Sequence, residues 1–340
     1  MPESTTADVA VEPQSIDPPH DAPEPAGRRR VALALGSGGA RGYAHIGAIA
    51  ELERRGFEIS GVAGSSMGAL VGGLYAAGKL DEFTEWAKTL SQLDVIRLLD
   101  PSILELGTIR AAKILDRIRD MLGDISIESL PIPYIALATD LTAGRSVWYL
   151  KGPVDAAIRA SIAIPGVIAP TVERGRLLAD GGILDPLPII ATAGFPADFT
   201  VGVSLTTSAV DTDWAPAAKE EAAQPGALDA WLSRIRRGAE TVGGTVGSAI
   251  SRFTDADDDE APTEPKIGRF DSMNRSLEIM QAALSRYQRA GHPPDVLIEV
   301  PRTACRVLDF HRATEMIEVG FAPVRSAKGF LGMKDRISCG

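Results

Sequence analysis

The sequence predicts an α/β fold in which a mainly parallel central sheet carries helices on both faces. Three observations lead there. Short apolar runs of strand character alternate along the chain with stretches of helical spacing. Two of those runs end in glycine-rich turns about 25 residues apart. A composition of 45% hydrophobic and 24% charged residues over 340 positions is that of an ordinary globular protein with a sizeable core.

Taken in order, Val31-Ala32-Leu33-Ala34-Leu35 is a short apolar strand that runs into Gly36-Ser37-Gly38-Gly39-Ala40-Arg41-Gly42. From Ala40 to Arg55 the spacing is helical, with Ile46, Ile49, Ala50 and Leu52 on one side. Phe57 to Ala63 repeats the strand signal, Gly64-Ser65-Ser66-Met67-Gly68 forms a second glycine turn, and Ala69 to Ala77 continues as a helix with Gly78 as its C-cap. Further strands are expected at Pro133–Asp140, at Leu177-Leu178-Ala179-Asp180, at Phe199–Leu205 and at Asp295–Val300.

Composition divides the chain into four parts. Residues 1–28 are rich in Pro, Asp, Glu and Ala with almost no large apolar residues, and are expected to be a disordered tail. Residues 29–205 are expected to form the core, residues 206–268 an acidic mobile insertion, and residues 269–340 the C-terminal part of the same α/β domain. Five of the six residues 255–260 are acidic. Within residues 226–237, Leu228, Trp231, Leu232 and Ile235 share helical spacing beside Arg234, Arg236 and Arg237. Such a stripe either packs on the domain or touches a membrane surface, and the first is the usual fate.

A formal charge of −10 argues against nucleic acid as a partner. Two cysteines, Cys305 and Cys339, are too few for a disulfide framework. The chain start lacks a secretory pattern, so a cytoplasmic setting is expected, with peripheral contact at the inner membrane face as an option. The segment Gly61–Gly78 is apolar, but its six glycines and adjacent serines suit a strand, turn and helix better than a membrane span.

Gly64, Ser66 and Gly68 fit G-x-S-x-G, where glycines let the chain turn sharply and expose a serine hydroxyl above a sheet. The pattern also arises by chance as a small-residue turn. Gly36 to Gly42 presents unobstructed backbone N–H groups at a helix start, which suits an oxyanion. It also resembles a nucleotide-phosphate loop, but it lacks the G-K-[ST] ending and does not match G-x-G-x-x-G, since Arg41 stands where the third glycine belongs. Asp180-Gly181-Gly182 closes an apolar run, although Asp-Gly is by itself a common turn dipeptide.

The order of these three elements resembles the patatin-like phospholipase family, and the likeness extends through Ala160-Ser161-Ile162-Ala163-Ile164-Pro165-Gly166 and Asp185-Pro186-Leu187-Pro188. It covers roughly residues 30–205, more weakly 295–330, and the Gly39-Ala40-Arg41-Gly42 form is most similar to the bacterial branch that resembles the catalytic domain of neuropathy-target-esterase-like lysophospholipases. The resemblance implies a three-layer α/β/α fold and a serine lipid acyl hydrolase of lysophospholipase or phospholipase A type, with a Ser66–Asp180 dyad and backbone N–H groups of Gly38, Gly39 and Ala40 as oxyanion hole. It implies no cofactor and no metal, and a lipid ester as substrate. Gly36, Arg41, Gly42, Gly64, Gly68, Gly181 and Gly182 support the motifs, Arg41 by fixing the loop or by facing a substrate phosphate.

A soluble carboxylesterase or thioesterase, or a regulatory protein with little activity, are the competing functions. Among the histidines, His311 is the rival base, in a polar helical setting, and His45 is expected to pack or cap. Ser37 and Ser65 read as exposed turn serines. Asp185 stands where many relatives carry Asn, which puts the local hydrogen bonding in question.

Overall fold

The computed structural model describes residues 29–98, 112–165, 167–207 and 269–326. The tail 1–28, the candidate interfacial helix 226–237 and Cys339 lie outside the described residues.

The strands are β1 (Arg30–Leu35), β2 (Glu58–Ser65), β3 (Tyr134–Asp140), β4 (Arg145–Tyr149), β5 (Thr171–Glu173), β6 (Arg176–Asp180), β7 (Phe199–Thr207) and β8 (Val296–Pro301). The α-helices are α1 (Ala44–Arg54), α2 (Met67–Ala76), α3 (Leu80–Lys88), α4 (Gln92–Leu98), α5 (Ala112–Leu122), α6 (Val154–Ser161), α7 (Arg269–Gly291) and α8 (Ala313–Ser326). All belong to or surround one sheet, whose parallel part runs β3-β2-β1-β7-β8. Strands buried on both faces read as unbroken apolar runs, and this explains why β1 and β3 stood out in the sequence.

One face is covered by α1, α2, α6 and α8, with Val31, Leu33 and Leu35 of β1 facing the helices. On the other face Ala34 packs under Leu187 and Ile189, while Arg289 of α7 pairs with Glu299 of β8 at 3.2 Å. The expected helix from Ala40 starts instead as a 3-10 turn, Gly39–Tyr43, and becomes α-helical only at Ala44. Gly39 has φ +57°, and its Cβ position lies 2.4 Å from the Val307 carbonyl oxygen, so the loop is pressed against the chain before α8.

The antiparallel part decides the site. β3 pairs with β2 over Tyr134–Leu137, with β6 over Ala138–Asp140, and with β4 over Ala136–Asp140. Since β4 overlaps both others in register, β2 and β6 share the opposite edge of β3. They approach each other head-on there, Ser65 opposite Leu137 and Asp180 opposite Ala138. The β5–β6 hairpin turns at Arg174 and Gly175, both at positive φ (50° and 76°), the geometry that matches strand twist in a two-residue turn.

Candidate active site

Ser66 follows β2 directly and precedes α2. Its backbone has φ 56° and ψ −122°, a conformation that costs a residue with a side chain on the order of 1–3 kcal/mol. The glycines around it make the turn possible: a Cβ on Gly68 would lie 2.1 Å from the Leu35 carbonyl oxygen, so β1 and the start of α2 approach within backbone contact. The helix begins at Met67, two residues earlier than its spacing suggested.

Head-on strand ends bring Ser66 and Asp180 together. The Ser66 hydroxyl donates to Oδ2 of Asp180 in a short hydrogen bond, and both residues are buried. Oδ1 of Asp180 accepts the Gly182 N–H at 2.7 Å, the Asp180 N–H donates to the Ala163 carbonyl at 2.9 Å, and Thr139 Oγ1 donates to the Asp180 carbonyl at 2.9 Å. The carboxylate is thus fixed at both oxygens. Burial pushes it up from the usual range to about 7, while the bonds from Ser66 and Gly182 pull the other way. An acid of that strength suits a general base near neutral pH. The D-G-G glycines are required by space: a Cβ on Gly181 would sit 2.1 Å from the Leu137 carbonyl oxygen.

The glycine loop lies across from the elbow. Gly36 N–H donates to Val203 O at 3.0 Å and Ser37 N–H to Pro186 O at 2.8 Å. The Ala40 N–H donates to Val307 O at 2.8 Å, so the expectation that it serves an oxyanion is corrected: that donor is committed to the chain leading into α8. Gly38 and Gly39 keep N–H groups without a protein partner among the described residues. Met67, the first residue of α2, adds an N–H that no intrahelical carbonyl takes, a donor the sequence reading missed.

Arg41 is 3% exposed, and its guanidinium donates from Nε to Gly38 O at 3.1 Å, from Nη1 to Arg302 O at 3.2 Å and from Nη2 to Glu278 at 2.5 Å. Of the two roles open in the sequence, this is the loop-fixing one, and Glu278 of α7 is a partner no local signal could reveal. Gly42 leaves room for Met67, whose side chain lies 2.0 Å from where a Cβ would be.

His45 is fully buried, Nε2 bonds the Gly36 carbonyl at 2.8 Å, and Nδ1 has no hydrogen-bond partner. Desolvation lowers its pKa to about 4, so the ring is neutral and caps the loop as a donor. His311 sits in a 3-10 turn, Phe310–Arg312, and among the described residues Ser66 is the only side chain bonded to Asp180. Ser37 and Ser65 are buried, which corrects their reading as exposed turn residues: the D-G-G turn packs on both, with the Cβ positions of Gly181 and Gly182 lying 2.7 Å from Ser65 Oγ and 2.4 Å from Ser37 Oγ. Asp185 accepts from Ser146 in a short bond and from Gln288 Nε2 at 3.1 Å, tying β4 to α7 and answering the question raised by its identity.

Above Ser66 opens a cleft whose wall is almost wholly apolar. Gly39 and Ser66 border it, Met67 and Leu70 come from α2, Phe83 and Trp86 from α3, Val95 from α4, Ile114 from α5, and Ile162, Ile164, Val167 and Ile168 from the chain after α6. A cleft so lined has room for an apolar chain beside one polar corner at Ser66. No group of acidic, His or Cys side chains among the described residues could hold a metal, and no described helix is long and apolar enough to cross a membrane.

Residues 33–193 match the family described as Patatin-like phospholipase, a stretch holding the glycine loop, the elbow and the D-G-G turn. An uncharacterized NTE family protein of Mycobacterium tuberculosis is 51% identical over 329 residues, 86% of this chain and 89% of its own, and one from Mycobacterium bovis aligns equally. The neuropathy target esterase of Drosophila melanogaster is 34% identical over 165 residues, 46% of this chain and 12% of that one. Among solved structures, VipD from Legionella pneumophila is 15% identical with a TM-score of 0.45, covering 88% of this chain and 66% of its own.

Proposed function

The chain belongs to the patatin-like phospholipase family, and from that premise we propose that it is a serine lipid acyl hydrolase of lysophospholipase or phospholipase A type. The observation that carries the reading is the Ser66 hydroxyl donated to a buried Asp180 carboxylate at the floor of an apolar cleft.

In this mechanism Ser66 Oγ attacks the ester carbonyl carbon as its proton moves to Oδ2 of Asp180. The carbonyl π electrons collapse onto oxygen, and that oxyanion takes hydrogen bonds from the N–H groups of Gly38 and Gly39, with Met67 N–H at the positive end of α2 alongside. The intermediate re-forms its carbonyl by expelling the alcohol, which takes the proton from Asp180, leaving an acyl-Ser66. Water then attacks with Asp180 again as base, and the fatty acid leaves as Ser66 recovers its proton. Removal of one oxyanion donor costs about 10²- to 10³-fold in rate. Arg41 and His45 hold the loop through the carbonyls of Gly38 and Gly36 so that its N–H groups stay aimed at the cleft.

Fatty-acid release from lysophosphatidylcholine, alongside hydrolysis of a p-nitrophenyl ester, tests the reading. Both are expected in the intact protein and lost in Ser66→Ala. Cleavage of the short ester alone would mark a soluble esterase or thioesterase, and no release from either would bring forward a regulatory role.

A further inference from the structure

A third buried hydroxyl reaches the elbow. Ser161, the last residue of α6, is fully buried, and its Oγ lies 2.9 Å from the Ser66 backbone nitrogen and 2.5 Å from the Leu137 carbonyl oxygen. The Ser66 N–H donates to the hydroxyl, and the hydroxyl proton goes to Leu137. Having one proton and spending it there, Ser161 cannot donate to the reacting atoms.

Its position follows from the ladder. In the parallel pair β2–β3 the Val62 N–H donates to the Pro133 carbonyl at 2.9 Å. At two residues per rung, the following donors are Gly64 and Ser66, and the following acceptors Ile135 and Leu137. At Ser66 the backbone leaves the strand for its φ 56°, ψ −122° conformation, and the rung to Leu137 is completed by the Ser161 hydroxyl instead. The same Leu137 carbonyl backs the Asp180 turn, since it lies 2.1 Å from the Cβ position of Gly181. One hydroxyl therefore bridges the backbone of the serine and the peptide against which the D-G-G turn rests.

We propose that Ser161 is a positioning residue that holds Ser66 in its elbow conformation by standing in for the last rung of the β2–β3 ladder. It rests on the reading of Ser66 as nucleophile. A strained backbone persists only where its surroundings over-determine it, and the Ser66 N–H, buried with the rest of the residue, has no other protein partner among the described residues. Without its acceptor, the N–H is left unmatched and the elbow relaxes away from Asp180.

The test uses Ser161→Ala and Ser161→Thr in the full chain. In Ser161→Ala, kcat on p-nitrophenyl butyrate is expected to fall about 10- to 100-fold with KM within about twofold, the size of one unmatched buried donor. The rate of Ser66 labelling by a fluorophosphonate should fall in step, and Ser161→Thr should restore both. Exchange of the Ser66 amide hydrogen should quicken by a similar factor in Ser161→Ala, a readout independent of catalysis. Should Ser161→Ala fail to fold, Ser161→Cys keeps the volume with a weaker hydrogen bond and is expected to be intermediate. Unchanged kcat, or unchanged Ser66 amide protection, in a folded Ser161→Ala or Ser161→Cys overturns the proposal. Intact protein that neither hydrolyses ester nor labels at Ser66 overturns instead the nucleophile reading, and the proposal falls with it.

Discussion

Replacing Asp180 by Asn should abolish activity and, at alkaline pH, make the protein more stable. Burial raises the Asp180 carboxyl from 3.8 to about 7. The folded state therefore keeps a proton that the unfolded chain releases, and the stability this carries is fully present below pH 3.8 and lost as pH rises through about 7. Three units at 1.36 kcal/mol each make the ionised carboxylate a burden of about 4 kcal/mol at pH 8. Asparagine has nearly the same shape, keeps an oxygen for the Gly182 N–H, and carries no charge at any pH. Urea unfolding of both proteins at pH 5, 6, 7 and 8 should show the variant gaining on the wild type with each step, from about 1.5 kcal/mol at pH 5 to about 4 kcal/mol at pH 8, most of the rise falling between pH 5 and 7. His45 slopes the other way: its depressed pKa, about 4 against 6.5, means stability is present above 6.5 and drains by about 3 kcal/mol as pH falls to 4. That contribution is common to both proteins and cancels in the difference. A gap that is the same at every pH, or a variant less stable at pH 8 than at pH 5 relative to wild type, would refute the buried, proton-holding carboxylate.

Three further outcomes are expected. The kcat/KM of the wild type should rise with pH through about 7 with unit slope as Asp180 ionises, and a profile flat from pH 5 to 8 would place the base elsewhere. For p-nitrophenyl esters, kcat/KM should grow about fourfold per added methylene while the cavity fills, each CH₂ contributing about 0.8 kcal/mol, and Val95→Phe should shift the preference to shorter chains; no dependence on chain length would show that the acyl group lies outside. Glu278→Gln leaves the buried Arg41 guanidinium without its charge partner and should cost about 2–4 kcal/mol in urea unfolding, with a loss of kcat because Arg41 holds the Gly38 carbonyl; unaltered stability and rate would make that ion pair incidental.

Those parts of this protein that follow from local chemistry are legible in consecutive residues. Unbroken apolar runs announced β1 and β3, mixed apolar stretches announced β2 and β7, and the glycines of the loop, the elbow and the D-G-G turn marked where backbone meets backbone too closely for a side chain. Ser66 and Asp180 could be singled out through the family resemblance, because the turns that carry it are written in consecutive residues. What joins them is not consecutive. Residues 66 and 180 meet because β2 and β6 run head-on along one edge of β3, a matter of pairing partners and direction on which the apolar pattern of β6 is silent. Hydrogen-bond commitments are likewise settled between distant segments: Val307 takes the Ala40 N–H that looked available, Glu278 finds Arg41 from 237 positions away, and Ser161 supplies a rung that β2 gives up on turning. Burial, too, belongs to the assembled molecule, and only burial turns an ordinary aspartate into a base that titrates near neutrality.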